Sequence, residues 1–224
     1  MKKTGEQQPS TTEKIKLYSF CRSSCSWRVR IALAYKGIPY EYVAVDLASG
    51  EQFSEDFKKL NAFSTVPVLV DNDIVIADSF AILEYLEEKY PEPSLFPADI
   101  RKKALVRQVV NHIVASIQPL QNLTVLKRIE ALGGPEERLK WAQHFIKSGF
   151  EALELLLTAE AGKYCFGEEF TMADIVLVPQ LGNAERFQVD MTNFPLLTKI
   201  GEAVSALPYV KEASPQNQPD FVTF

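Results

Sequence analysis

The chain has 224 residues and a formal net charge of −5, and 46% of its residues are apolar. This length exceeds that of one ordinary domain, so we expect two. The acidic balance excludes a general affinity for nucleic acid or anionic lipid, and no segment approaches the ~18 apolar residues of a membrane span.

The chain begins with a polar stretch and then enters strand and helix patterns. Residues 1–14 contain no apolar segment, so we expect a flexible tail and no secretory signal. Ile15 to Phe20 alternates as a strand does, and the apolar positions that follow have the spacing of a helix face. Gly37 is suited to end that helix. Tyr40 to Val45 is a second predicted strand, and the strand–helix–strand order favours parallel pairing.

A second helix and a hairpin are predicted next. Residues 52–60 have a helical pattern. Val66 to Val70 and Ile74 to Ile76 flank three Asp and Asn residues, which tolerate turn conformations, so the two runs form a hairpin. Pro67 stands at the start of its strand, where a missing N–H is tolerated. Asp78-Ser79 then begins a third helix, since both residues are good caps.

The order of these elements, βαβαββα, is that of a thioredoxin-like α+β domain over residues 15–90. Residues 91–100 are rich in proline and form a linker by composition. Residues 101–224 are predicted to be helical, and this change of class marks a second, all-α domain. Pro119 is expected to interrupt the first long helix, and Pro135, which follows two glycines, to open another.

Three further features belong to the helical part. Thr171 and Asp174 have the spacing of a capping box variant, so Asp174 is interpreted as a structural residue and not as a catalytic acid. A last helix is predicted from Phe194-Pro195 to Leu207-Pro208. Pro215 to Phe224 is predicted to be a loose tail.

The cysteines and histidines do not indicate a disulfide framework or a metal centre. Cys21, Cys25 and Cys165 are too few for a secreted scaffold, and three residues separate the first two, so they do not form a C-x-x-C redox motif. His112 and His144 lie far apart, and no cluster has the spacing of metal ligands. No metal site is predicted.

Ser23, Ser24 and Cys25 lie where the first helix begins, and they are the strongest candidates for chemistry. The first turn of a helix has N–H groups without internal partners and a partial positive charge. A serine there is often only a cap. The alternative is that a hydroxyl and the exposed N–H groups together hold an anion such as a thiolate. The same two interpretations apply to Asp78-Ser79, where the anion would be a carboxylate.

The string Ser23-Ser-Cys-Ser-Trp-Arg-Val-Arg-Ile-Ala-Leu33 resembles the signature of zeta-class glutathione transferases, the family that includes maleylacetoacetate isomerase. The resemblance runs from about Ile15 to Phe221. It implies a glutathione transferase fold, glutathione as the cofactor, a small carboxylate substrate, a homodimer and a cytoplasmic location. It also implies a cis peptide bond at Val66-Pro67.

By the same resemblance, Ser23, Ser24 and Cys25 are the catalytic residues, with Ser23 as a hydrogen-bond donor to the thiolate and Cys25 in an assisting role. The residues implied in glutathione binding are Ser23, Gln52, Val66, Pro67, Asp78, Ser79, Gln118, Asn122 and Thr124. Arg186 matches the family's substrate-binding arginine, and Arg22 and Arg28 are further candidates. For Arg28 and Arg30, a role as ordinary surface charges remains an open alternative.

The reaction that the resemblance implies is the isomerisation of maleylacetoacetate to fumarylacetoacetate, by thiolate addition, bond rotation and elimination. Three alternatives stay open. One is a transferase or dehalogenase acting on small α-halo acids such as dichloroacetate. Another is a thiol oxidoreductase that uses Cys25. The third is a non-catalytic scaffold, although retention of the serines speaks against it.

Overall fold

A four-stranded sheet forms the centre of the first part of the molecule. The computed structural model describes residues 15–222, and the predicted tail at residues 1–14 lies outside this range. The strands are β1 (Ile15–Ser19), β2 (Tyr40–Ala44), β3 (Val68–Asp71) and β4 (Ile74–Ala77). Their order in the sheet is β2-β1-β3-β4.

The pairing of the strands agrees with the sequence prediction. β1 and β2 are parallel, with Leu17 opposite Tyr42, whereas β3 is antiparallel to both β1 and β4. Asn72 turns the hairpin with a φ of 56°, a conformation that Asn tolerates. The predicted hairpin and the predicted parallel pair are therefore confirmed.

The helices of this first part are α1 (Ser24–Tyr35), α2 (Glu55–Leu60) and α3 (Ser79–Lys89). Gly37 follows α1 with a φ of 64°, which confirms it as the helix terminator. The single helix predicted over residues 52–60 is wrong, because extended Ser54 separates a 3-10 turn (Glu51–Phe53) from α2. The Ser54 hydroxyl oxygen accepts a hydrogen bond from the Phe57 N–H and so caps α2.

The remainder of the described chain is helical. It contains α4 (Ile100–Asn111), a π-helical turn (His112–Ile117), a 3-10 turn (Gln118–Gln121), α5 (Leu123–Leu157), α6 (Met172–Arg186), α7 (Pro195–Ser205), α8 (Pro208–Glu212) and a last 3-10 turn (Pro215–Asn217). Pro119 lies in the 3-10 turn after α4, so the predicted interruption is confirmed. Gly134 breaks α5 with a φ of 85°, immediately before Pro135, as predicted.

One continuous core joins the sheet to the helices. Leu17 of β1, Leu33 of α1 and Ile175 of α6 are fully buried in the same apolar cluster. Gly182 allows α1 and α6 to approach closely, because a Cβ at this position would meet the Trp27 ring at 3.0 Å. The start of α1 is therefore fixed against the helical part of the molecule.

Asp174 has the structural role that its position predicts. One carboxylate oxygen accepts hydrogen bonds from the Thr171 N–H (2.8 Å) and the Thr171 hydroxyl (2.9 Å), and the other accepts from the Cys165 N–H (2.8 Å). Burial raises the pKa of this carboxyl, and these hydrogen bonds oppose the rise. Asp174 holds the loop before α6 onto the helix, and this confirms the capping box.

The C-terminal end of the described chain corrects two predictions. The helix that begins at Pro195 is not the last one, because α8 and a 3-10 turn follow it. The loose tail predicted from Pro215 is also wrong where the chain is described. Asp220 accepts hydrogen bonds from the Cys21 N–H (2.9 Å) and the Tyr42 hydroxyl (2.7 Å), which tie this segment to the sheet.

Two predictions concerned the absence of a feature. None of the helices described combines the length and apolar character that a membrane crossing requires. Over residues 15–222, no three His, Cys, Asp or Glu side chains are grouped so that they could hold a metal ion.

Candidate active site

The N-terminus of α1 has donors that the protein leaves without acceptors. Ser23 is the N-cap, and its hydroxyl oxygen accepts one hydrogen bond, from the Ser26 N–H at 3.2 Å. Within residues 15–222, no acceptor faces the N–H groups of Ser24 and Cys25, and the first turn of α1 contains no acidic residue. The positive end of the helix is therefore available to an anion.

A cavity of about 340 Å³ lies in front of this helix end. Its walls come from both parts of the molecule, because the loops around the sheet form one side and the 118–127 stretch and the end of α6 form the other. The predicted site residues that line it are Arg22, Ser23, Ser24, Cys25, Gln52, Val66, Gln118, Asn122, Thr124 and Arg186. Residues from five separate stretches of sequence thus meet at one place.

Four predicted site residues do not line this cavity: Pro67, Asp78, Ser79 and Arg28. Arg28 is 1% exposed and donates a hydrogen bond from Nη1 to the Ser79 hydroxyl oxygen at 3.1 Å. It is therefore placed behind Ser79 and away from the substrate side. Arg30 is also fully buried, so the interpretation of Arg28 and Arg30 as surface charges is wrong.

The start of α3 is the second predicted binding element. Asp78 caps the helix, since one carboxylate oxygen accepts from the N–H groups of Phe80 (2.9 Å) and Ala81 (3.0 Å). Its φ of 94° is costly for any residue other than glycine, and such strain is concentrated at functional positions. The buried Ser79 hydroxyl accepts from Arg28 and keeps its own proton for another acceptor.

The peptide bond between Val66 and Pro67 is cis, as the family resemblance implies. Val66 is 7% exposed and lines the cavity just before β3 begins. The Val66 side chain is apolar, so only its backbone N–H and carbonyl groups can form hydrogen bonds with a ligand.

Two buried amide side chains in the cavity wall have atoms without partners. Gln52 is 5% exposed and Gln121 is 6% exposed. The Gln52 Oε1 atom and both polar atoms of the Gln121 amide are buried without a hydrogen-bond partner among the described residues. Unpaired buried amides are costly, so a ligand with amide and carboxylate groups fits this wall. Glutathione is such a ligand.

The helical side of the cavity is positively charged. Arg186 and Lys127 line it, and desolvation lowers the pKa of the Arg186 guanidinium, with further lowering by the nearby charges of Arg138 and Arg22. Arg22 donates a hydrogen bond to the Val222 carbonyl oxygen at 2.8 Å and stacks on the Phe221 ring. Several cations placed close together favour an anionic ligand.

Several lining residues were not predicted from the sequence. They are Phe20, Leu47, Ala48, Phe53, Ser64, Thr65, Gln121, Leu123, Lys127, Asn183 and Phe187. Lys127 is one helical turn beyond Thr124, and Asn183 is one turn before Arg186, so helical spacing could have identified both. The apolar residues carry no such signal.

The three thiols have different surroundings. Cys25 is half-buried and faces the cavity, whereas Cys21 and Cys165 are buried. Burial raises the pKa of both Cys21 and Cys165 above the ordinary value of 9.0, so these two thiols remain protonated and inert at neutral pH. Only Cys25 is placed for chemistry among the described cysteines.

Comparisons with known proteins agree with this site. The family model for the glutathione S-transferase N-terminal domain matches residues 22–89, and the model for the C-terminal domain matches residues 130–213. The zeta-class glutathione S-transferase of Euphorbia esula is 54% identical over 215 residues, which cover 96% of this chain and 95% of that protein.

Two further relatives are maleylacetoacetate isomerases. The protein of Mus musculus is 51% identical, over 91% of this chain and 94% of its own length. A crystal structure of the enzyme from Anaeromyxobacter dehalogenans is 42% identical, with a TM-score of 0.84 over 92% of this chain and 93% of that one. That structure contains dicarboxyethyl glutathione and citrate in its active site.

Proposed function

The chain belongs to the zeta class of the glutathione S-transferases, and we propose that it catalyses the glutathione-dependent isomerisation of maleylacetoacetate to fumarylacetoacetate. One observation carries the proposal. At the N-terminus of α1, the N–H groups of Ser24 and Cys25 have no acceptor among the described residues and lie at a cavity that Arg186 also lines. In this proposal residues 15–90 are the glutathione-binding domain and residues 101–224 are the substrate domain.

When bound, glutathione supplies a thiolate that adds reversibly to the conjugated cis double bond of the substrate and leaves after rotation. A thiol with a pKa of ~8.5 is mostly protonated at neutral pH, so the protein has to favour the anion. Ser23 can do so because its oxygen accepts from the Ser26 N–H while its proton stays free to be donated. The unpaired N–H groups of Ser24 and Cys25 add positive charge at the same place.

The remainder of the glutathione molecule would be bound by groups whose donors or acceptors are not fully used within the described protein. The Val66 backbone and the buried amides of Gln52 and Gln121 are placed for the peptide groups of the ligand. Asp78 and Ser79 would bind the γ-glutamyl end beside the cavity, and Arg28 donates to the Ser79 hydroxyl from the opposite side. Gln118, Asn122 and Thr124 complete the set from the opposite wall.

The substrate carboxylates would bind on the helical side. Arginine has a planar fork that pairs with a carboxylate in two parallel hydrogen bonds, so Arg186 is the principal candidate. Arg22 and Lys127 line the same cavity and offer charge to a second carboxylate. Negative charge that develops on the substrate during the reaction would be stabilised by the same cations.

The state and location of the protein in the cell also belong to the proposal. We propose a homodimer, supported by the family resemblance and by Phe63, whose side chain is 87% exposed and offers apolar surface to a second subunit. We propose a cytoplasmic location, supported by the three free thiols, which fit a reducing compartment. Light scattering on the purified protein and fractionation of the source cells would test these two statements.

The experiment that tests the function uses maleylacetone, an analogue of the proposed substrate. The purified protein and glutathione are mixed with it, and loss of the cis isomer is followed while free thiol is titrated. We expect the trans isomer to form with no change in thiol, since glutathione is regenerated. Absence of isomerisation would contradict the proposal. Thiol consumption with an α-halo acid would then favour the transferase, and disulfide reduction that is lost in Cys25→Ala would favour the oxidoreductase.

A further inference from the structure

The segment that follows α8, residues 213–222, lies against the turn that carries Ser23. We refer to it as the C-terminal segment. Asp220 is its main contact, because one carboxylate oxygen accepts from the Cys21 N–H at 2.9 Å and the other accepts from the Tyr42 hydroxyl at 2.7 Å. Cys21 is two residues before Ser23, so this carboxylate holds the backbone directly before the catalytic residue.

Arg22, the next residue, is held by the same segment. Its Nη2 donates to the Val222 carbonyl oxygen at 2.8 Å, and its guanidinium lies 5.3 Å from the centre of the Phe221 ring. Arg22 also lines the cavity. The C-terminal segment therefore contacts a residue of the cavity wall directly.

Arg30 connects the opposite side of the turn to the start of the segment. Its Nε donates to the Ala213 carbonyl oxygen and its Nη2 to the Cys21 carbonyl oxygen, both at 2.9 Å. Arg30 is fully buried, so these bonds are shielded from water. The Cys21 residue is thus held at its N–H by Asp220 and at its carbonyl by Arg30.

The turn is also held by nearby residues, since Arg30 Nη1 donates to the Phe20 carbonyl oxygen at 3.4 Å. The Ser23 N–H donates to the Phe20 carbonyl oxygen at 3.0 Å and closes the turn between β1 and α1. Asp220 is 199 residues away in sequence from the N–H that it binds. Contacts made by the far end of the chain therefore add to the local hydrogen bonds that hold the backbone before Ser23.

We propose that Asp220 is a positioning residue of the active site, and that the C-terminal segment holds the Phe20–Ser23 turn in the geometry that thiolate binding requires. This inference rests on the proposed function. Displacing a catalytic group by about 1 Å costs on the order of a hundredfold in rate. Loss of the Asp220 carboxylate should therefore lower activity although Asp220 does not line the cavity.

The test compares Asp220→Ala with Asp220→Asn. The alanine variant loses both hydrogen bonds, and we expect kcat/KM to fall about ten- to a hundredfold, with a raised pKa of the thiol of bound glutathione. The asparagine variant can still accept from the Cys21 N–H and can donate to the Tyr42 oxygen, so it should recover most of the loss. The pKa is read from the ultraviolet absorbance of the thiolate as the pH is varied.

Asp190→Ala is the matched control, because Asp190 is an exposed aspartate that accepts a backbone N–H bond, from Thr192 at 3.0 Å, outside the site. Circular dichroism gives the folded fraction, and activity is expressed per folded molecule. Wild-type kcat/KM and thiol pKa in folded Asp220→Ala would overturn the inference, as would an equal loss in Asp190→Ala.

The inference and the proposed function fail in different ways. If the wild-type protein does not isomerise maleylacetone, the proposed function fails, but calorimetric titration with glutathione still compares the variants. Weaker binding and a raised thiol pKa in Asp220→Ala alone would then still support the positioning role. Equal affinities and equal pKa values would overturn it.

Discussion

The N-termini of α1 and α6 have similar chemistry and different uses. At α6, Asp174 accepts the N–H and hydroxyl of Thr171 and the N–H of Cys165, and its side chain is fully buried. At α1, Ser23 accepts one N–H, and no carboxylate approaches the first turn within the described chain. A cysteine stands beside each helix end, buried at α6 and facing the cavity at α1.

The difference teaches that α1 has no acidic residue in its first turn, so its positive end is left for a ligand. A carboxylate also covers the start of α7, where Glu154 accepts the N–H groups of Leu196 (2.7 Å) and Leu197 (3.0 Å), and Asp78 does the same at α3. At these two helix ends a carboxylate of the protein accepts N–H groups that an anionic ligand would otherwise bind, although the Ser79 hydroxyl at α3 still has a proton to donate. In the proposed function, the thiolate of glutathione takes the place of such a carboxylate at α1.

The largest effect is expected for Ser23→Asp, which gives α1 an aspartate N-cap like Asp78 at α3. Aspartate caps a helix as well as serine, so the free energy of unfolding should stay within about 1 kcal/mol of wild type. The new charge repels the thiolate and the hydroxyl donor is lost, so kcat/KM should fall about a thousandfold. Steady-state kinetics and urea unfolding on the same preparation test both statements. An active Ser23→Asp protein would contradict the comparison.

Ser23→Ala should have the next largest effect. It removes the donor without adding charge, and loss of one such donor costs about a hundredfold in kcat. Ser54→Ala is the matched control, because its hydroxyl also accepts a first-turn N–H at 3.2 Å, at α2. Both variants should lose about 1 kcal/mol of stability. Only the Ser23 variant should lose activity. Equal kcat/KM values in the two variants would mean that Ser23 acts only as a helix cap.

Much of this comparison could be predicted from the sequence. Periodicity, Gly37, Pro119 and Pro135 predicted the elements and their breaks, because these signals act within a few residues of the chain. The eleven-residue string beginning at Ser23 predicted the family, and its first three residues line the cavity.

Other parts could not be predicted, because they depend on long-range contacts. The docking of Asp220 joins residues 199 positions apart, and the polar composition of that segment is also typical of a loose tail. The burial of Arg28 and Arg30 depends on Ser79 and Ala213, which a local pattern does not reveal. The apolar wall of the cavity had no signal that distinguished it from ordinary core.

Asp174→Ala should affect stability and leave the active site intact. It leaves the buried N–H groups of Thr171 and Cys165 without acceptors, and each unpaired group costs about 1–3 kcal/mol, so we expect a loss of about 2 to 6 kcal/mol. Asp99→Ala at the exposed start of α4 is the control and should lose about 1 kcal/mol. Calorimetric melting measures both, and kcat/KM per folded molecule should be unchanged. A specific loss of kcat/KM would give Asp174 a catalytic role.

The smallest expected effect is a pH dependence of the free energy of unfolding, caused by the Cys165 thiol near α6. The pKa of Cys165 is raised above 9.0 by burial and then by Asp174, so the folded protein keeps this proton after the unfolded chain has lost it. The stabilising contribution is complete below pH 9.0 and is lost as the pH rises further, by up to about 1.4 kcal/mol per pH unit. Urea unfolding across this range should show a shallower decline for Cys165→Ala than for wild type. Parallel declines would contradict the assignment.

The central claim is that the open N-terminus of α1 favours the thiolate of bound glutathione. The most direct measurement is the pKa of that thiol in the wild-type complex, from the ultraviolet absorbance of the thiolate against pH, with free glutathione as the reference. We predict a pKa at least about one unit below that of the free thiol, and a return towards the free value in Ser23→Ala. An unchanged pKa in the wild-type complex would contradict the account.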